Sequence, residues 1–125
     1  MLFEFDNNIP IYIQLVEQIA INIISGNLAP GERLPSVRDL ANETKVNPNT
    51  MQKALSELEE TGLIYTERTN GKFVTTDTGL IERIRKEYAD MQTRTYLKNM
   101  SRLGFDVSAT VEYIDKTEGE NNVSA

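Results

Sequence analysis

At 125 residues, with 39% hydrophobic and 26% charged side chains, the chain has room for one small domain with a modest core and an attached helical element, and too much apolar content for disorder. It contains no cysteine and no histidine, which excludes a disulfide framework and every usual zinc site, so no cofactor is expected. Its net charge of −6 means that any nucleic-acid surface has to be a local patch, since residues 1–76 carry −4 and residues 77–125 carry −2.

The longest apolar-rich stretch, IYIQLVEQIAINII, is fourteen residues long and contains glutamine, glutamate and asparagine. That is too short and too polar for a membrane span or an export signal, so a cytoplasmic chain with no membrane partner is expected. The same stretch predicts a first helix over about Pro10 to Ser25, with Pro10 at its first position, Gly26 at its exit, and Tyr12, Leu15, Val16, Ile19 and Ile23 forming a buried stripe. NLAPGERLPS then reads as an ordered connector in which Arg33 and Leu34 form a very short strand.

A second helix begins at Ser36, where Ser-Val-Arg-Asp has the spacing of a capping box; Val37, Leu40 and Ala41 face inward and Arg38 outward. After a turn anchored by Val46, a third helix starts at Asn47-Pro48, with asparagine as cap and proline where no amide is needed. It runs to about Glu60, buries Met51, Ala54, Leu55 and Leu58, and ends at Gly62. Its first turns present Asn49, Thr50, Gln52 and Lys53, whose side chains match base-edge donors and acceptors in a major groove. From Leu63 the pattern turns to short β-favouring segments around Asn70-Gly71, read as a hairpin because both residues tolerate positive φ; its tip carries Arg68 and Lys72, and Phe73 anchors its base to the helices.

A helix, a tight turn, a second helix with a polar start and then a ribbon is a winged helix-turn-helix layout. All six cations of residues 1–76, namely Arg33, Arg38, Lys45, Lys53, Arg68 and Lys72, lie outside the first helix. They are expected to converge on one face, with Glu57, Glu59 and Glu60 elsewhere. The alternative is that these cations pair with neighbouring acids and that the fold binds another protein rather than DNA. No catalytic grouping stands out, and the chain reads as a non-enzyme.

Beyond Thr78 a long helix to about Arg102 carries Leu80, Ile81, Ile84, Tyr88, Met91 and Leu97 at helical spacing. Gly104 breaks it; Asp106 or Ser108 caps a short final helix with Val111 and Ile114. These apolar positions either fold back on the first helix or pair with a second copy, and the second option makes residues 77–117 a helical dimerisation tail after a winged domain of residues 1–76. Residues 118–125 read as a frayed end. The fold class is therefore mainly α with a small β-hairpin.

The segment LAPGERLPSVRDLANETKVNPNTMQKALSELEETGLIYTERTNGKFV resembles the winged-helix domain of GntR-family bacterial transcription regulators, and VNPNT with a short helical tail resembles the YtrA-like subfamily. The resemblance implies a homodimer on a double-stranded operator of inverted half-sites, most often a repressor. It also implies Ser36 and Arg38 near the DNA backbone or bases, Asn49 and Thr50 on the recognition helix, and Gly71 at the wing. With these, the candidate DNA-facing set is Arg33, Ser36, Arg38, Lys45, Asn47, Asn49, Thr50, Gln52, Lys53, Arg68, Gly71 and Lys72. Two residues depart from the family pattern: Asn47-Pro48 stands where many members carry serine-arginine, and Thr69 where a wing glycine is usual. The tail is too short for the large ligand-binding domain of bigger relatives and leaves room only for a small crevice, so a small-molecule effector is an open partner class.

Overall fold

The computed structural model describes residues 1–124, with side chains through Glu120. The chain is mainly helical with one small hairpin: α1 (Ile11–Ile24), α2 (Val37–Thr44), α3 (Pro48–Thr61), β1 (Ile64–Glu67), β2 (Gly71–Val74), α4 (Thr78–Arg102) and α5 (Val107–Ser124). It divides into two units, Met1–Arg85 and Lys86 onward, and α4 contributes residues to both.

In the first unit the helical stripe read from the sequence becomes the core. Leu15, Ile19 and Ile23 of α1 are fully buried with Leu40 of α2 and Met51, Leu55 and Leu58 of α3. Tyr12 and Val16, expected in the same stripe, are only half-buried at its edge. Pro10 stands at the cap rather than the first helical position, with an extended ψ of 134°.

The residues before α1 form an arm that the sequence does not announce. Gln14 is buried, accepts the Asp6 amide at 2.7 Å, and donates to the carbonyls of Asp6 and Ile9. One turn on, Gln18 accepts the Glu4 amide at 3.1 Å and donates to the Glu4 carbonyl. The two carboxamides thus pair with the arm's backbone as a neighbouring strand would, satisfying groups that burial would otherwise leave costly.

Ser36 caps α2, its Oγ accepting the Asp39 amide at 3.1 Å. The turn between α2 and α3 is made by Lys45 in the left-handed region, with φ 57°, the one non-glycine residue there among those described. Asn47 caps α3 by accepting the Asn49 amide at 2.8 Å, and Pro48 follows without an amide to satisfy. Gly62 closes α3 at φ 87°, and it has to be glycine for a second reason: a Cβ there would stand 2.9 Å from Leu80 Cδ2.

The hairpin pairs Ile64 with Val74 and Glu67 with Gly71, leaving Arg68, Thr69 and Asn70 as the loop. The hairpin expected at Asn70-Gly71 is present; of the pair only Gly71 takes positive φ, 98°, because the chain turns earlier, through the Asn70 amide to the Glu67 carbonyl. The short strand expected at Arg33-Leu34 is present as a rung against β2, with Arg33 opposite Phe73 and the Leu34 amide 2.8 Å from the Lys72 carbonyl. Phe73, expected to anchor the ribbon, is half-buried. Its ring stacks on Tyr65 across the strands, 5.6 Å between centroids, and the buried Ile64 and Val74 do the anchoring.

Asp77, unremarked in the sequence, caps α4 through the Leu80 amide at 3.0 Å. Leu80, Ile81 and Ile84 lie in the first unit, where Leu80 covers Gly62 and Ile84 is buried. In the second unit Gly104 breaks α4 at φ 92°, and Asp106 caps α5 by accepting the Ala109 amide at 2.8 Å. Helix α5 runs on through Ser124 where the sequence suggests fraying from residue 118, since each further residue of a nucleated helix adds a hydrogen bond for one residue fixed. Ala125 lies outside the described residues. No helix among the described residues is long and apolar enough to cross a membrane.

Candidate nucleic-acid interface

The start of α3 is built to be rigid and polar at once. Its cap is supplied by Asn47, its core side is fixed by buried Met51, and Asn49 and Gln52 remain exposed with Thr50 half-buried beside them. Gln52 donates to Ser56 Oγ at 3.2 Å, which holds its carboxamide along the helix surface. Lys45 and Asn47 lie exposed just before the helix and share with Thr50, Phe5 and Ile11 a hollow of about 290 Å³.

A second, larger cleft of about 640 Å³ lies between the start of α2 and the hairpin, and Arg33, Ser36, Arg68, Gly71 and Lys72 all line it. Gly71 turns the chain at φ 98°, a conformation that side chains disfavour, and the Arg33 guanidinium lies beside it in van der Waals range of where a Cβ would stand. Asp39 and Glu67 also line the cleft, so its field is mixed rather than purely cationic.

The six cations divide into two groups. Arg33, Arg38, Lys45 and Arg68 are exposed and form no ion pair among the described residues. Lys72 is half-buried, paired with Glu59 of α3, and also donates to Thr66 Oγ1 at 2.9 Å. It therefore ties the ribbon to α3 instead of standing at the tip, and Glu59, expected away from the cations, is its partner. Hydrogen bonds from Lys72 and then Thr66 hold the Glu59 carboxyl below its ordinary value.

Lys53 is also engaged, its ammonium 4.6 Å from the centroid of the Tyr12 ring. Desolvation, and after it the nearby Glu57 and Glu60 carboxylates, push that phenol up. Tyr12 reads in sequence only as one more apolar position. Its spacing gave no sign of a polar role, which depends on α1 and α3 packing side by side.

A supporting helix, a tight turn, a helix with a polar exposed start and an adjoining two-stranded ribbon define a winged helix-turn-helix protein. Residues 11–74 match the pattern of the bacterial regulatory proteins of the gntR family, and the chain belongs to that family. It is 35% identical over 117 residues to the HTH-type transcriptional regulator YhcF of Bacillus subtilis, covering 93% of this chain and 97% of that one. It is 45% identical over 65 residues to the HTH-type transcriptional repressor YtrA of the same organism, covering 52% of this chain and 50% of the repressor. Among solved structures, a GntR family transcriptional regulator from Listeria monocytogenes superposes with a TM-score of 0.85 at 40% identity, over 90% of this chain and 98% of that one. AraR(DBD) in complex with operator ORR3 superposes with a TM-score of 0.51 at 31% identity, over 60% of this chain and 88% of that one.

Proposed function

We propose that the protein is a YtrA-like transcription repressor that binds an inverted-repeat operator in double-stranded DNA as a homodimer in the cytoplasm. The observation that carries this reading is the start of α3, where Asn49 and Gln52 are exposed on a capped, rigid helix end just after the exposed Lys45, while unpaired Arg33 and Arg68 line the cleft between α2 and the hairpin. Helix ends of this kind read base edges, and flanking cations grip phosphates. In this reading Asn49, Thr50 and Gln52 face bases. Arg33, Arg38, Lys45 and Arg68 meet the backbone or minor groove, with Ser36 and Asn47 at the two helix starts beside them. Gly71 shapes the wing, and Lys72 acts through the ribbon's tie to α3. An operator bound by AraR(DBD), a structural neighbour, supports DNA as the partner.

The dimer is supported by the second unit. Helices α4 and α5 leave Val107, Val111 and Ile114 exposed at 61%, 52% and 46%, around a groove of about 580 Å³ that Tyr96 and Leu97 also line. Tyr88 and Met91 extend the apolar side of α4. A contiguous apolar patch of that kind marks an association surface, and a second copy offers the same patch in self-complementary form.

The test is selection of bound fragments from genomic DNA with the purified full chain, followed by footprinting. A protected palindrome is the expected result, and Asn49→Ala or Thr50→Ala should lose preference for it more than affinity for random duplex. No enrichment of any fragment would transfer the fold to the protein-binding alternative.

A further inference from the structure

Lys53 of α3 lies against the ring of Tyr12 on α1. The Lys53 ammonium lies 4.6 Å from the Tyr12 ring centroid, inside the roughly 6 Å over which the negative face of an aromatic ring attracts a cation. Glu57, one turn further along α3, sets a negative charge near the same residue. Lys53 is thus drawn toward α1, although by sequence it sits among the exposed side chains of the helix that reads DNA.

We infer that Tyr12 is a positioning residue that withholds Lys53 from the DNA and thereby sharpens the protein's selectivity. The inference rests on the DNA-binding reading above. A lysine that reaches a phosphate adds attraction without regard to sequence. A complex loosely docked on random duplex can shift until a free lysine finds a phosphate, whereas one seated by base contacts is fixed in place. Releasing Lys53 therefore favours random DNA over the operator, and holding it on Tyr12 suppresses that gain. The lysine left in place stabilises the α1–α3 seam, where it also sets a positive charge against Glu57 and Glu60, both close enough to act on Tyr12.

The experiment measures affinity of the full chain for a random-sequence duplex and for a selected operator fragment across a salt series, with Lys53→Gln, Tyr12→Leu and the double variant. Lys53→Gln should keep the wild-type slope of log affinity against log salt. Tyr12→Leu should bind random duplex several-fold tighter, with a slope steeper by about 0.9 per protomer, and the double variant should return to wild type. Should Tyr12→Leu lose its fold by circular dichroism, Tyr12→Gln takes its place with the same expectations. A shallower slope for Lys53→Gln would overturn the inference by showing that Lys53 already touches phosphate, as would a Tyr12 variant with unchanged slope or a double variant that keeps the steeper one. Wild-type protein that binds no duplex would sink the DNA reading itself, while any of the other adverse results would leave that reading standing.

Discussion

The salt dependence of duplex binding can be worked from the pairing of the cations. Four of them in each protomer, Arg33, Arg38, Lys45 and Arg68, have no acidic partner among the described residues, so a homodimer offers about eight phosphate ligands. Each phosphate neutralised contributes about −0.9 to the slope of log affinity against log salt, giving about −7 if all eight engage and a loss on the order of 10⁴-fold between about 50 and 200 mM salt. Arg38→Ala should flatten the slope by about 2 for the dimer, one unit from each protomer, and weaken binding at moderate salt. Lys72→Gln should leave the slope nearly unchanged, because Glu59 already neutralises that ammonium in the free protein. Fluorescence anisotropy on a labelled operator fragment across the salt series reads all three. A Lys72→Gln slope as flat as that of Arg38→Ala would refute the division into free and committed cations, and a wild-type slope near zero would refute phosphate gripping altogether.

Three other outcomes follow from particular contacts. Gly62→Ala should destabilise the first unit by about 1–3 kcal/mol, from left-handed strain and a collision with Leu80 Cδ2; Leu80→Ala in the same chain should remove the collision's share, read as a partial recovery of the urea midpoint. Glu59→Gln should cost no more than about 1 kcal/mol near neutral pH. Because the folded-state pKa of Glu59 lies below its ordinary 4.5, that contribution is full above the ordinary value and is lost as pH falls through the folded one, so wild type and variant should converge in acid denaturant titrations. Val111→Glu with Ile114→Glu should yield monomers in light scattering and weaken operator binding about 100-fold through lost effective concentration, and a dimer that survives both charges would place the interface elsewhere.

What the sequence discloses and what it conceals divide along physical lines. Features set by neighbours in the chain are legible: the Ser36 and Asn47 caps, the glycine exits at Gly62 and Gly104, and the helical spacing of Leu15, Ile19 and Ile23 all follow from local hydrogen bonding or period. Contacts between elements are not. The Lys72–Glu59 pair joins residues on β2 and α3, the Tyr12 cluster needs α1 beside α3, and the arm is held by Gln14 and Gln18, which in a linear reading are polar interruptions of an apolar run. Sequence marks the DNA-facing residues only by type and position, and the structure sorts them by occupancy, separating cations with partners from cations without. The same limit explains Leu80, Ile81 and Ile84: spacing shows that they share a helix side, while only the folded chain shows that Leu80 covers Gly62.

An acidic protein that grips DNA needs its negative charge to be out of range of the phosphates, and α3 shows how that is arranged. Asn49 and Gln52 stand in its first turns, where unsatisfied amides give the helix a positive end, and Glu57, Glu59 and Glu60 stand in its last. At 1.5 Å per residue the nearest of these acids lies about 14 Å along the axis from Pro48, beyond a Debye length of about 8–10 Å at physiological salt. Acids at a helix's negative end oppose its dipole, a cost of about 0.3–1 kcal/mol each. Here Glu59 is met by Lys72, so the contact that offsets that cost also braces the ribbon against the reading helix. Helix α3 thus keeps three of the acids away from its reading end, while Asp39 and Glu67 remain beside the cations of the cleft, and lowering the salt until the Debye length exceeds that separation should bring the far acids back into play and slow the further gain in affinity.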